Sequence, residues 1–590
     1  MELPSRPKGD IYARPGEYAA LRARLRSIYA GDPIPSVVVS AFDERTRLMP
    51  YYFTSHIMAP AGARAIATAL VDCGLAPTRV VFQQWTPRFR PSEARLDGRP
   101  IQMLLVSSMK IHAARAYALV ADALRMGPDR PLVITGGPKA IYEPEDFFGI
   151  GGEPAVSADL VVTGEDFVLV QLLDVLSTYR NGSTSMLDAF RLARRDAALD
   201  GVPGLVYRAG EDEDAPLVSS GIQKLVQDLD EFPHPVAGYS LLEPPHRRTT
   251  LSAAPLPVSA IRRKSRIASL TLSHGCKFNC DYCPIPAYNQ RTYRHKSGER
   301  IADEMRRIRE ELGIRMFFGT DDNFFNNRPA VEEMFSVLSR TKVNGRAFHR
   351  EVFWGTEATE FDTWKNRDLL PAARLSGLRA IWFGIEDMTA TLIRKGQSVS
   401  KTGELFSLLL DTGISPRPML MHHDGQPLYS RKGLYGLLNQ AMRLRKLGAN
   451  SFQATVLTPA VGTRAFEPTL DKGVVFRSVG GRPVDEWEYD GNHVVASAVS
   501  RPWRLQFNVL MAYLAFYNPW NLTRAFFRPK RHGRISAVFC QAAGMYGLAR
   551  SALHFLGTTY RLWRGPIERV ASAPAKPAAM SLPVLESVPA

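Results

Sequence analysis

From residue 36 onward the apolar positions alternate between short continuous runs and longer stretches of helical period. Val37-Val38-Val39, Arg79-Val80-Val81-Phe82, Ile101 to Val106, Leu132-Val133-Ile134 and Leu160-Val161-Val162 read as buried strands. Ala61 to Cys73, closed by Gly74, then Ala113 to Arg125 and Asp166 to Tyr179, read as the helices between them. Strands separated by helices of this length predict an α/β, Rossmann-like, doubly wound parallel sheet over residues 36–180. Ahead of it, residues 1–35 form an N-terminal extension with one Arg- and Ala-rich helix, Gly16 to Tyr29.

A second alternation fills residues 263–470. Ile267 to Leu272 is a buried strand and Arg300 to Leu312 a charged helix. Further strands are expected at Ile314–Phe318, Val352–Glu357, Ala380–Asp387, Ser415–Met421 and Ser451–Thr455. Residues 181–262 read as a connector. It holds a turn and strand at 201–208, an acidic hairpin tip at Glu211–Asp214, and a proline-punctuated link at Asp228–Pro235. Residues 471–570 are expected to be helical, with Trp503, Phe507, Leu510, Leu514 and Tyr517 at helical spacing. Residues 571–590, rich in Ala, Pro and Ser, are expected to be disordered.

Composition narrows the picture. At 590 residues the chain exceeds one core, and 45% hydrophobic with 22% charged residues fits a globular protein. Five cysteines make no disulfide framework; Cys73 and Cys540 sit in apolar helical contexts and read as buried spectators. The start, Met1 to Arg6, lacks the apolar core of a signal peptide, and no apolar run approaches the ~18 residues of a spanning helix. The net charge of +16 is uneven: residues 501–590 hold twelve Lys and Arg against two Glu. There Arg524, Phe526, Phe527, Arg528, Lys530, Arg531 and Arg534 interleave bases with aromatics. This suits a membrane surface or an anionic, greasy substrate, or a helical cap with a solvated basic face. No nucleic-acid partner is expected.

The candidate chemistry centres on Cys276-Lys277-Phe278-Asn279-Cys280-Asp281-Tyr282-Cys283, a loop leaving a strand end after Ser273-His274-Gly275. Thiolates are soft ligands for iron–sulfur clusters or zinc. Three local cysteines leave one corner of a four-iron cluster without a protein ligand, as a catalytic metal requires. Zinc would need a fourth ligand, and His274 precedes the loop without partner spacing. Other candidates sit at strand ends, where open α/β sheets and barrels bind ligands. In the first series these are Ser107, Ser108, Gly136, Gly137, Gly164 and Glu165. In the second they are Gly319, Thr320, Asp321, Asp322, Glu357 and Glu386. Met421-His422-His423-Asp424-Gly425 could tune a substrate site, but adjacent strand positions face opposite ways, which disfavours a metal held by both histidines.

The C-x3-C-x2-C spacing, with Tyr282 before the last cysteine, resembles the signature loop of radical S-adenosylmethionine (SAM) enzymes. The Ser107-Ser108, Gly136-Gly137 and Gly164-Glu165 series ahead of it resembles the cobalamin-binding domain that precedes many radical SAM domains. The resemblance, over residues 36–470, implies a 4Fe-4S cluster on Cys276, Cys280 and Cys283 and a partial TIM-type barrel over 263–470. SAM contacts would lie at Tyr282, Gly319-Thr320-Asp321, Asp322, Glu357 and Glu386. Pro459 to Thr463 resembles the Pro-x-x-Gly-Thr turn closing such domains. Cobalamin would meet the six strand-end residues of the first series. The Asp-x-His-x-x-Gly motif that ligates cobalt is absent, and neither His56 nor His112 replaces it.

The implied activity is C-methylation of an unactivated carbon in a small, lipid-like or natural-product substrate, with cobalamin as methyl carrier. An external electron donor such as a flavodoxin or ferredoxin, and a cytoplasmic location with peripheral membrane contact through the basic C-terminal region, follow from it. Cyclisation or rearrangement without methyl transfer, a non-catalytic cobalamin or cluster sensor, and modification of RNA or protein are the competing readings.

Overall fold

The computed structural model describes residues 11–46, 49–51, 54–150, 156–182, 184–392, 398–527, 531–571 and 580–581. Contacts divide the chain into two units: residues 59–261 with the segment up to 44, and residues 262–573 with 45–58.

The first unit is built on strands β1 (Ser36–Ser40), β2 (Thr78–Phe82), β3 (Met103–Ser107), β4 (Leu132–Gly136) and β5 (Leu160–Val162), all parallel. Their order is β2-β1-β3-β4-β5, so the chain reverses direction across the sheet beside β1. That reversal opens a crevice at the carboxyl ends of β1 and β3. Register aligns these ends in one row: Ser40 pairs with Phe82 and Ser107, and Ser107 with Gly136. The apolar runs are continuous because helices cover both faces; Val37, Val39, Leu104, Val133 and Val161 are fully buried. Helices α1 (Glu17–Ile28), α2 (Ala61–Asp72), α3 (Ala113–Leu124) and α4 (Asp166–Tyr179) supply that cover.

Part of the expected connector belongs to this sheet. Strands β6 (Leu205–Arg208) and β7 (Leu217–Ser219) extend it as an antiparallel hairpin, with Glu211–Asp214 exposed at its tip. Met580 and Ser581 pair with Val218 and Ser219, where disorder was expected; the rest of 572–590 lies outside the described residues.

The second unit carries six parallel strands in chain order: β8 (Ile267–Leu270), β9 (Met316–Gly319), β10 (Phe353–Ala358), β11 (Leu378–Glu386), β12 (Ser415–His422) and β13 (Gln453–Val456). Helices α5 (Gly298–Leu312), α6 (Arg328–Arg340), α7 (Val399–Thr412) and α8 (Leu437–Lys446) alternate with them. This is the partial (β/α) barrel that the family resemblance implied. Local chemistry sets the helix ends. Ser297 Oγ accepts the Arg300 N–H at 3.1 Å to start α5, and Gly313 ends it at φ +71°.

An incomplete barrel leaves an open edge, here β13. Helix α9 (Trp503–Phe516) closes it with two tyrosine hydroxyls, each acting as donor and acceptor. Tyr513 Oη accepts from Ala454 N (3.0 Å) and donates to Ala454 O (2.8 Å). Tyr517 Oη accepts from Phe452 N (2.6 Å) and donates to Phe452 O (2.7 Å). The hydroxyls thus stand in for a missing neighbour strand. The buried face of α9 is Leu505, Gln506, Val509, Leu510, Ala512, Tyr513 and Phe516. Of the expected stripe, Leu510 and Tyr517 are buried, Trp503 and Phe507 are half-buried, and Leu514 is exposed. The region after 470 is also not wholly helical, since Phe476–Val479, Arg482–Pro483 and Ile567–Arg569 form a small antiparallel sheet.

Tyr513→Phe and Tyr517→Phe would each leave buried edge groups unsatisfied. Each is expected to lower stability by about 1–3 kcal/mol in urea denaturation. Unchanged midpoints in both variants would remove this role from the tyrosines.

Candidate active site

The cysteine loop departs from the end of β8. Ser273–His274 pair antiparallel with Arg294–His295, so residues 275–293 form an excursion pinned at its base. Gly275 is obligatory there: its φ is +94°, and a Cβ would lie 2.0 Å from the Thr292 carbonyl oxygen. The loop following β9 grips the excursion. Asp321 Oδ1 accepts the backbone N–H of Ser273 (2.7 Å) and Leu272 (3.2 Å), and Oδ2 accepts the Thr356 hydroxyl at 2.5 Å. Asp322 Oδ2 accepts Gly275 N–H at 2.6 Å, and Asn326 Oδ1 accepts Lys277 N–H at 3.0 Å. The Lys277 ammonium pairs with buried Asp362, whose other oxygen accepts from Asn323 (2.8 Å) and Thr359 (2.9 Å). From the other side, Arg464 donates to the Asn279 carbonyl (2.7 Å), and Ala465 N–H donates to the Asp281 carbonyl (3.0 Å).

Asp321 and Asp322, expected at SAM, thus each put one carboxylate oxygen on the root of the loop that carries the cysteines. Gly319 serves the same brace: a Cβ there would come 2.4 Å from Asp321 Oδ2. Thr320, exposed, donates its N–H to the Leu270 carbonyl at 2.8 Å and shares its hydroxyl with Thr271 at 3.2 Å.

Cys280 is buried and Cys276 and Cys283 are partly so. Burial, then the neighbouring Cys280, Asp322 and Cys276, push the Cys283 thiol up to about 12. A loop that gathers three thiols and disfavours ionisation of Cys283 suits them to sharing a cationic centre, which reverses that balance. The donor set fits an iron–sulfur cluster on Cys276, Cys280 and Cys283.

Four carboxylates converge on the same mouth. Burial first, then Asp322, Asp321 and Glu386, push Glu357 up to about 7. Glu386 ends β11 at φ +61°, beyond a register shift after Gly384. That left-handed turn, costly for a glutamate, brings it beside the Tyr282 hydroxyl, whose pKa is raised chiefly by burial and then by Glu386 and Cys280. Glu357, Glu386 and Tyr282 therefore sit together, while Asp321 and Asp322 lie one layer behind.

A cavity of about 620 Å³ opens beside the loop, lined by Phe278, Asn279, Cys280, Tyr282, His423 and Leu505 among others. His422 and His423 point opposite ways. His422 is fully buried, its Nδ1 at 2.8 Å from Gln426 Oε1 and its Nε2 accepting from Asn508 at 3.1 Å; burial lowers its pKa to about 4. His423 faces the cavity, and its buried Nε2 has no hydrogen-bond partner among the described residues. Asp424 instead accepts from Ser497 Oγ and Ala498 N–H, both at 2.7 Å.

In the first unit, the buried Ser108 Oγ just past the end of β3 has no hydrogen-bond partner among the described residues, a polar atom suited to a ligand in the crevice. At Gly137, φ +86°, a Cβ would meet Ser107 Oγ at 2.8 Å, so the glycine lets the β4 turn close on β3; Gly136 ends β4 in register with Ser107. The β5 end is closed differently. Gln223 Oε1 occupies the space a Cβ on Gly164 would need, at 2.4 Å, and accepts the Glu165 N–H at 2.7 Å. Gly164 and Glu165 thus seat Gln223 rather than leave a gap. An ion network unseen in the sequence lies near: Glu143 accepts from Lys110 (2.8 Å) and buried Lys139 (2.9 Å). Burial alone would raise Glu143, but the two ammoniums hold it at about 2. His112 Nδ1 accepts Asp43 N–H at 3.1 Å, which puts the proton of the neutral ring on Nε2.

Residues 270–426 match the family model described as the radical SAM superfamily. Over 355 residues the chain is 24% identical to the uncharacterized methyltransferase PH0819 of Pyrococcus horikoshii, covering 60% of this chain and 66% of the relative. Over 150 residues it is 29% identical to the hopanoid C-2 methylase of Rhodopseudomonas palustris, covering 25% of this chain and 28% of that one. The chain thus spans less than two thirds of these curated relatives. Its fold is that of the radical S-adenosylmethionine methyltransferase TsrM from Kitasatospora setae, solved with cobalamin and a 4Fe-4S cluster. The TM-score is 0.56 at 15% identity, covering 87% of this chain and 99% of that one.

The raised pKa of Glu357 has a signed consequence. Between an unfolded value of about 4.5 and the folded value of about 7, the folded chain holds the extra proton. Its stability therefore falls as pH rises through that window and stays reduced above it. Glu357→Gln in the cluster-free protein is expected to be more stable than the parent by about 1–3 kcal/mol at pH 8 and nearly equal at pH 4.5. Denaturation at both pH values checks this; an equal difference at the two would refute it.

Proposed function

We propose that this radical SAM enzyme transfers a methyl group to an unactivated carbon of a small molecule, with cobalamin as the carrier. The observation that carries the reading is the cysteine loop opening, through Cys280 and Tyr282, into the 620 Å³ cavity with His423 on its wall. When bound, the cluster supplies the electron that cleaves SAM, and cobalamin supplies the methyl group. Cys276, Cys280 and Cys283 hold the cluster. Glu357, which has no side-chain hydrogen-bond partner among the described residues, would face the SAM ammonium, with Glu386 and Tyr282 beside it. Asp321 and Asp322 keep the loop in place. Ser107, Ser108 and the Gly136-Gly137 turn would hold cobalamin.

His423 orients the substrate. The cavity wall is largely apolar, with Phe278, Leu392, Val456 and Leu505, so the substrate is a mainly apolar molecule with one polar group for Nε2. The names of the curated relatives, a methyltransferase and a hopanoid methylase, support methyl transfer and a lipid-like substrate. A flavodoxin- or ferredoxin-type protein in the cytoplasm provides the electron, and the basic C-terminal region meets the membrane.

The deciding experiment is anaerobic reconstitution with iron, sulfide and hydroxocobalamin, then metal analysis of the desalted protein. About four irons and one cobalt per chain are expected. Iron without cobalt would remove the methyl-transfer mechanism, and iron retained by Cys280→Ala would remove the cluster assignment. His423→Ala is expected to keep both metals and SAM cleavage but to uncouple cleavage from methylated product. Parent-like coupling would take His423 out of the substrate site.

A further inference from the structure

Helix α10 (Pro519–Phe526) leads towards α11 (Arg531–Arg564), 34 residues long. One face of α11 packs inward through Ala537, Cys540, Ala543, Leu548, Phe555 and Leu562. The opposite face is also apolar. Ile535, Phe539, Ala542, Tyr546, Ala549, Leu553, Leu556, Tyr560 and Trp563 follow one another at alternating steps of four and three residues, and every one is exposed. Leu553 is 84% exposed and Ile535 61%. The stripe runs for about 40 Å at 1.5 Å per residue. Helix α10 adds Trp520, Phe526 and Phe527, the last 80% exposed. A row this long is far from the scattered apolar residues of an ordinary surface.

Charge decides what covers it. Helix α11 contains no Asp or Glu and carries Arg531, Arg534, Arg550, Arg561 and Arg564. Arg561 pairs with Glu488. Arg534, Arg550 and Arg564 are exposed, and Arg564 lies over the Trp563 ring at 4.8 Å. On α10, Arg524 lies over Trp520 at 4.9 Å, and it is near enough to Arg445 to lower that residue's pKa, after burial. A second copy of α11 laid along the stripe would set arginine against arginine, with no acidic residue at the flanking positions that pair coiled coils. An anionic lipid surface matches both features, taking the Trp, Tyr and Leu side chains into the headgroup boundary and the guanidiniums onto its phosphates. Among the described residues no helix is long and apolar enough to cross a membrane, so the contact is peripheral.

We propose that the outer face of α11, extended by α10, docks this protein on anionic phospholipid membranes. The inference is independent of the methyl-transfer reading. The test is flotation of the reconstituted full-length protein with vesicles of phosphatidylcholine alone or with 30% phosphatidylglycerol (about a third anionic lipid, as in charged leaflets). Binding to the anionic vesicles is expected, falling severalfold at about 0.5 M salt. Leu553→Glu with Phe539→Glu is expected to reduce it about tenfold, and Arg534→Gln with Arg550→Gln to reduce it severalfold, all with parental iron content. Absence of parent flotation on anionic vesicles would overturn the proposal. So would equal flotation of both double variants, or a parental dimer by sedimentation that Leu553→Glu dissolves.

Discussion

The site depends on two carboxylates that hold its loop in place. Asp321 and Asp322, adjacent at the end of β9, accept backbone N–H groups from Leu272, Ser273 and Gly275, at the root of the cysteine loop. A loop of three thiols has little apolar surface to bury and so little intrinsic reason to hold one shape. Charge-assisted bonds to backbone N–H groups are the strong kind, and buried ones are stronger still. Gly319 exists to make room for this: any side chain there would displace the Asp321 carboxylate. The Lys277–Asp362–Asn323 chain repeats the device one step further along the loop.

The same brace sets the electrostatics of the mouth. Asp321 and Asp322 lie behind Glu357 and Glu386, and together with burial they raise Glu357. Two carboxylates satisfied by N–H groups and two facing the opening make a region that favours cations, and the crowded thiols add to it. Iron and an ammonium are the chemistry such a region accepts. The brace and the binding surface are thus one charge arrangement read from two sides.

How much of this was legible follows from what each signal requires. The cysteine loop and the alternation of strands and helices are local patterns, and both the parallel sheet and the partial barrel could be anticipated from them. That carboxylates gather at strand ends was equally legible, since position 386 or 357 at the end of an apolar run is a local fact. Their division of labour was not. Whether Asp321 faces a ligand or the Ser273 N–H depends on contacts 48 residues apart in the chain. Gly164 is the same case, where an apparent gap is filled by Gln223 from a segment read as mere connector. The spacing in α9 was right for Leu510 and Tyr517 but not for Leu514, which is exposed, because α9 packs along a sheet edge. Its inward face was fixed by which tyrosines reach β13, not by where the largest apolar side chains fall.

That edge explains the C-terminal architecture. A six-stranded barrel has a free strand, and a free strand invites another chain. Two tyrosine hydroxyls answer the β13 backbone groups at Phe452 and Ala454, and α9 thereby becomes a wall of the unit. Helix α11 packs behind α9, where Gly544 leaves room for the Tyr517 ring: a Cβ there would lie 2.2 Å from it. Closing the edge thus uses the inner face of α11, while its outer face carries nine exposed apolar positions in unbroken register, with arginines beside them and no acid in the helix, a pattern that suits contact outside the fold.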